Sequence, residues 1–146
     1  MAVVKELIFS NKMAKLSLYS DGGSRGNPGP AAFGYVLKNS AGVVLKKEGK
    51  YLGELTNNQA EYQGLITGLK VALEFSPDEL ECFLDSELLV GQMEGDFKVK
   101  NEGLKLLFKE AQELARKFPK IQFSHVERLE NNEADKLLNR ALNLEV

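Results

Sequence analysis

The feature that most restricts this chain is a change of hydrophobic period near Gly53. Before it, LSLYS, AAFGYVLK and VVLKKEGKYL have strand lengths and strand composition; after it, Ala60, Leu65, Leu69, Ala72 and Leu73 recur at helical spacing. Three strands separated by short turn-rich segments predict an antiparallel meander. The first is expected to stop at DGGSRGNPGP, whose glycines and prolines do not favour a continued ladder. A helix is predicted from about Asn57 to Glu74, closed by Phe75-Ser76-Pro77.

Further along, LECFLD reads as a short strand and SELLVGQM as a short helix with Ser86 placed to cap it. Leu104, Leu107, Phe108, Ala111, Leu114 and Ala115 mark a longer amphipathic helix that ends before Pro119. IQFSHV supplies a fifth strand, and Asn131 or Asn132 can cap a last helix carrying Ala134, Leu137, Leu138, Ala141 and Leu142. The order βββαβααβα specifies an α/β fold, a mixed sheet covered by helices. At 146 residues, 43% hydrophobic and 27% charged, the chain suits one compact domain. That domain is expected over residues 15 to 146, with residues 1 to 14 as an N-terminal extension, since Met13 opens a stretch that can itself start a protein.

Cys82 is the single cysteine, which excludes an intramolecular disulfide and a CxxC redox site and suits a reducing, cytoplasmic setting. No apolar run approaches the roughly 20 residues of a membrane span, and MAVVKELIFSNK is unlike a secretory signal, so no membrane partner is expected. The net charge of −2 gives no global sign of a nucleic-acid partner; any such contact must be local. Late in the chain Lys105, Lys109, Arg116 and Lys117 alternate with Glu102, Glu110 and Glu113, which reads as a solvated helix face of mixed charge.

Four acids occupy informative positions. Asp21 ends the predicted first strand, where an Asp-Gly pair is also ordinary turn chemistry. Glu61 precedes Leu65 by four residues and Leu69 by eight, on the inward stripe of its helix, although an acid near a helix N-terminus is favourable in itself. Asp85 ends LECFLD just before Ser86, a place that capping explains as well. Asp135 lies on the side of the last helix that carries Leu138 and Leu142, where a first-turn acid is again favourable. Strand ends and helix starts meet at one edge of an α/β layer, so the four can converge. Clustered carboxylates need a cation, and all-oxygen ligation suits Mg²⁺ or Mn²⁺ rather than Zn²⁺.

The motifs YSDGGSRGNPGPAAFGYVL, TNNQAEYQGLITGL, LDSELLVGQM, FKVKN and HVERLENNEADKL, in this order, resemble those of type 1 ribonuclease H, in the form without the basic protrusion. The resemblance covers Lys15 to about Leu142. It implies a ribonuclease H-like fold, a five-stranded mixed sheet with its first three strands antiparallel, flanked by helices. It also implies an endonuclease that cuts the RNA strand of RNA/DNA hybrids by a two-metal-ion mechanism and leaves 5′-phosphate and 3′-hydroxyl ends. The protein would work as a monomer.

Under that resemblance Asp21, Glu61, Asp85 and Asp135 are the metal-binding acids, holding two Mg²⁺ or Mn²⁺ ions with substrate. Gly22, Asn27, Asn57 and Asn58 match loop positions that approach the hybrid through its minor groove, and Asn suits 2′-hydroxyls and base edges because it both donates and accepts. For Asn57 and Asn58, helix capping is an equal reading. Thr56 matches a residue near a DNA-strand phosphate, with Arg25 available for the same contact. His125, ten residues before Asp135, matches a histidine associated with proton transfer or product release, although its HVERLEN setting differs from the glycine-containing loop of bacterial members; a structural strand-end histidine is the other reading. Without the basic insertion, Lys98 and Lys100 are the nearest substitutes for DNA-strand binding. The alternative function is a catalytically weak hybrid-binding module.

Overall fold

A computed structural model describes residues 14–144. The chain runs β1 (Lys15–Ser24), β2 (Gly29–Lys38), β3 (Val44–Leu55), α1 (Asn57–Leu73), β4 (Glu79–Leu84), α2 (Glu87–Glu94), α3 (Glu102–Ala115), β5 (Lys120–His125), a 3₁₀ turn (Arg128–Asn131) and α4 (Asn132–Leu144). The expected extension, residues 1 to 14, lies outside the described residues apart from Ala14.

One five-stranded sheet is formed in the order β3-β2-β1-β4-β5. β1, β2 and β3 pair antiparallel, while β4 adds parallel to β1 and β5 parallel to β4. Period two in β1 and β4 sends Leu16, Leu18, Leu80, Cys82 and Leu84 to one face, where they pack with Leu65 and Leu69 of α1 and Leu104 and Ala111 of α3. A fully buried leucine of this kind contributes roughly 1.5–3 kcal/mol relative to an exposed one. On the opposite face Ala32 meets Leu138, Ala141 and Leu142 of α4 in a smaller core. Gly34 permits this approach, because a Cβ there would run into the Ala134 carbonyl and Leu138 N. Among the described residues no helix is long and apolar enough to cross a membrane.

The first strand does not stop at the glycines. β1 continues through Asp21, Gly22, Gly23 and Ser24, which pair with Gly34, Phe33, Ala32 and Ala31 of β2. Gly22 is there for close approach rather than for a turn: a Cβ would meet the backbone of Ala60 and lie 2.5 Å from Glu61 N. Asp21 therefore sits within the central strand, paired with Gly34 of β2 just past the last residue that pairs with β4, and does not end it.

Local capping fixes where the helices begin. Thr56 caps α1 in a reciprocal box, its hydroxyl accepting from Gln59 N at 3.2 Å while Gln59 Oε1 accepts from Thr56 N at 2.9 Å. Such a cap is worth about 1 kcal/mol and leaves Asn57 and Asn58 free of that duty. Ser86 caps α2 and Asn101 caps α3, each accepting at 3.2 Å. The cap expected from Asn131 or Asn132 is replaced by the 3₁₀ turn, with Asn132 already inside α4. Asn131 turns inward instead.

Candidate active site

The four acids meet at one cavity of about 540 Å³. Asp21 reaches it from β1, Glu61 from the second turn of α1, Asp85 from the residue after β4, and Asp135 from the first turn of α4. The topology explains this convergence: parallel β1 and β4 end at the same edge of the sheet, and α1 and α4 begin there on opposite faces.

Electrostatics agree with the crowding. Asp21 is only 7% exposed. Burial first, then the charges of Asp85 and Asp135, a hydrogen bond with Asp135 and the charge of Glu61 push its carboxyl up to about 8. Burial likewise pushes Glu61 up to about 7, against a hydrogen bond with Ser86 that lowers it and the Asp85 charge that raises it further. Asp85 is raised by burial and by Asp135, while Arg128, its own backbone amide and Asn131 pull the other way.

Arg128 offsets part of the charge at Asp85, but among the described residues no cation acts on Asp21 or Glu61, and the donor set is oxygen only. That chemistry fits a hard divalent cation, which favours the ionised form of every one of them. Among the described residues no three His, Cys, Asp or Glu side chains converge on a single point as they stand. The acids line the walls of the cavity, with Asp21 hydrogen-bonded to Asp135.

The surrounding residues divide into those at the cavity and those away from it. Gly22, Arg25, Asn57 and Asn58 line it with the acids. Asn57 Oδ1 accepts from Ser24 N at 2.8 Å, and Asn27 Oδ1 accepts from Asn57 N at 3.1 Å, so Asn27 stitches the β1–β2 loop to α1 from outside the lining. Arg25 Nη2 donates to Asn143 Oδ1 at 2.6 Å, tying the same loop to α4. Thr56 serves the helix cap. Lys98 and Lys100 sit in the segment between α2 and α3, exposed and outside the lining. His125 closes β5 opposite Leu84 and is likewise exposed and outside it.

Three site residues escaped the sequence reading. Arg128, in the 3₁₀ turn, lines the cavity and faces Asp85; nothing in its irregular segment marks it. Asn131, 1% exposed, donates from Nδ2 to the Ser20 carbonyl at 2.9 Å and touches Asp85, binding the turn before α4 to the strand that carries Asp21. Asn139 lines the cavity one helical turn after Asp135, a spacing that could have identified it. Its Nδ2 donates to the Asp135 carbonyl at 2.9 Å.

Comparison with known proteins bears on this arrangement. A family model described as reverse transcriptase-like matches residues 19–141. A bifunctional protein of Mycobacterium tuberculosis is 43% identical over 129 residues, covering 88% of this chain and 35% of that protein. The chain thus spans about a third of the length of that relative. The solved structure of that protein's N-terminal RNase H domain, a fusion with maltose binding protein, superposes with a TM-score of 0.87 at 42% identity, over 90% of this chain and 95% of that one. Ribonuclease HI of Halobacterium salinarum is 37% identical over 139 residues, 95% of this chain and 70% of that protein. LC11-RNase H1, solved in complex with an RNA/DNA hybrid, gives a TM-score of 0.84 at 40% identity, over 89% of this chain and 98% of that one.

Proposed function

The chain belongs to the ribonuclease H family, and from that premise we propose that it is an endoribonuclease hydrolysing the RNA strand of RNA/DNA hybrids by a two-metal-ion mechanism, leaving 5′-phosphate and 3′-hydroxyl ends. The observation that carries the reading is the meeting of Asp21, Glu61, Asp85 and Asp135 at one cavity. Its relative LC11-RNase H1 was solved with an RNA/DNA hybrid, which supports the same substrate here.

Asp21 and Asp85 would take the central ligand positions, with Glu61 and Asp135 completing the set, and two Mg²⁺ or Mn²⁺ ions held there would supply water activation and charge neutralisation for an in-line phosphoryl displacement. The protein's own part is positional. Asn131 fixes β1 and the start of α4 relative to one another, so that Asp21 and Asp135 keep their separation. Ser86 and Asn131 hold Glu61 and Asp85 by hydrogen bonds that favour their ionised forms. Asn57 and Asn58 stand at the cavity with carboxamides suited to 2′-hydroxyls and base edges, and Arg25 and Arg128 place positive charge where a phosphodiester would lie. We assign the protein to the cytoplasm, as a monomer; the lone, buried Cys82 suits a reducing compartment.

A labelled RNA/DNA hybrid, an RNA duplex and a DNA duplex incubated with the protein, with and without Mg²⁺ or Mn²⁺, test the reading. Cation-dependent cutting confined to the RNA of the hybrid, with 5′-phosphate products, is the expected result. Hybrid binding without turnover in either metal would instead make the protein a binding module.

A further inference from the structure

Beside the cavity, α4 presents a second polar surface with a different charge. Lys136 and Arg140 lie one residue beyond Asp135 and Asn139, so a rotation of roughly 100° per residue turns them to the neighbouring flank of the helix. There they line a shallow groove of about 190 Å³ with Lys47 of β3, over a floor formed by Val36 and Leu137. All three cations are exposed. The groove also contains Glu133, but its carboxylate is 2.5 Å from Lys38 Nζ and is matched by that charge. Among the described residues none of Lys47, Lys136 and Arg140 is in an ion pair. In a chain of net charge −2, three unmatched cations on one flank form a local excess.

A duplex that enters the cavity extends past it. One helical turn is about 34 Å long, comparable with the width of a domain of this size, and carries a charge every ~1.7 Å along its axis. Lys136 follows Asp135 directly on α4, and Arg140 lies about 8 Å from Asp135 along the same helix axis at roughly 1.5 Å per residue. We propose that Lys47, Lys136 and Arg140 form a second contact for nucleic-acid phosphates, gripping the duplex to one side of the cleavage site. The contact rests on the reading of the chain as a hybrid nuclease and adds to it a surface outside the catalytic cavity. Its long side chains read charge, not sequence, and its floor of Val36 and Leu137 supports their aliphatic stems.

The test compares Lys47→Gln/Lys136→Gln/Arg140→Gln with a control of equal charge change elsewhere, Lys46→Gln/Lys109→Gln/Lys117→Gln, on hybrids of about 10 and 30 base pairs over a salt series. The groove variant is expected to bind the long hybrid roughly tenfold or more weakly, with its log Kd against log salt slope reduced by about 2–3, while melting temperature and turnover of the short hybrid stay unchanged. The control variant should keep at least most of the wild-type affinity. Unchanged long-hybrid affinity and slope, an equal loss on both lengths, or an equal loss in the control would each overturn the proposal. Binding is read separately from cutting: a groove variant that loses long-duplex affinity while the wild type fails to cleave hybrid would refute the nuclease reading and leave the groove standing.

Discussion

Asn131 and Ser20 are joined by a buried hydrogen bond, Nδ2 of the asparagine donating to the main-chain carbonyl at 2.9 Å across 111 residues of sequence. Ser20 precedes Asp21, and Asn131 precedes Asp135 by four residues, so the bond ties together two of the four acid-bearing segments. Asn131 also touches Asp85. Asn131→Ala should destabilise the fold by about 1–3 kcal/mol, because the Ser20 carbonyl is left buried without a donor. It should also lower kcat at saturating Mg²⁺ more than it raises KM. Thermal melting and steady-state kinetics on a hybrid check both, and kcat unchanged in a folded Asn131→Ala protein would remove the positioning role.

Asp21 predicts a pH dependence of the metal-free protein. Its folded carboxyl is pushed up to about 8, mainly by burial, from an ordinary value near 4. Between those two values the folded state holds a proton that the unfolded chain has released, so stability falls as pH rises from about 4 to about 8. Glu61, raised to about 7, acts in the same direction. Asp21→Asn removes the larger part of this cost: the metal-free variant should be more stable than wild type by roughly 1–3 kcal/mol at pH 8, with the difference shrinking towards pH 4. The same substitution should abolish cation-dependent cleavage. Denaturant melts at several pH values, with chelator present, measure the first part, and a flat difference across pH would refute it.

The acids show what a sequence can and cannot reveal. Glu61 was legible from pattern alone, because an acid four residues before Leu65 and eight before Leu69 lies on their stripe, and it is half-buried at the cavity. The end of β1 was misread because Gly22 and Gly23 look like a turn when taken locally; the reason for Gly22 is the backbone of α1, 38 residues away at Ala60. Asn131 was one of two cap candidates by the same local logic, while its actual partners lie on β1 and after β4. The helices and caps that depend on neighbours in sequence, such as Ser86 with Leu89, were readable in advance. Arg128 was not, since an irregular turn carries no period from which the direction of a side chain can be inferred.

Arg128 and His125 can be separated experimentally. The resemblance assigns proton transfer or product release to the histidine, yet His125 is exposed at the end of β5 and Arg128 is the cation at the cavity beside Asp85. Arg128→Ala should slow hybrid cleavage by about 10- to 100-fold, the 1.5–3 kcal/mol typical of a hydrogen bond to a charged group, and Arg128→Lys should recover part of it. His125→Ala should stay within roughly threefold of wild type, below about 0.7 kcal/mol. A tenfold or greater loss in His125→Ala, with Arg128→Ala near wild type, would return the role to the histidine.

Adjacent glycines give the sharpest contrast. A Cβ on Gly22 would collide with the carbonyl of Ala60 and lie 2.5 Å from Glu61 N, whereas on Gly23 the nearest atoms are Asn57 Oδ1 at 3.7 Å and Leu138 Cδ1 at 3.8 Å, ordinary contact distances. The Gly22 clash is with backbone at the start of α1, so it cannot be relieved by turning a side chain; the helix must move, and Glu61 moves with it. Overpacking of this kind costs about 1–3 kcal/mol. Gly22→Ala is therefore expected to lose that much stability and to lower kcat by an order of magnitude or more, a 1 Å displacement of a catalytic group being enough for roughly a 100-fold effect. Gly23→Ala, in the same strand and equally deprived of glycine's freedom, should melt within about 0.5 kcal/mol of wild type and keep its activity. Equal losses in the two variants would show that strand propensity, and not the approach of α1, is what the glycines serve.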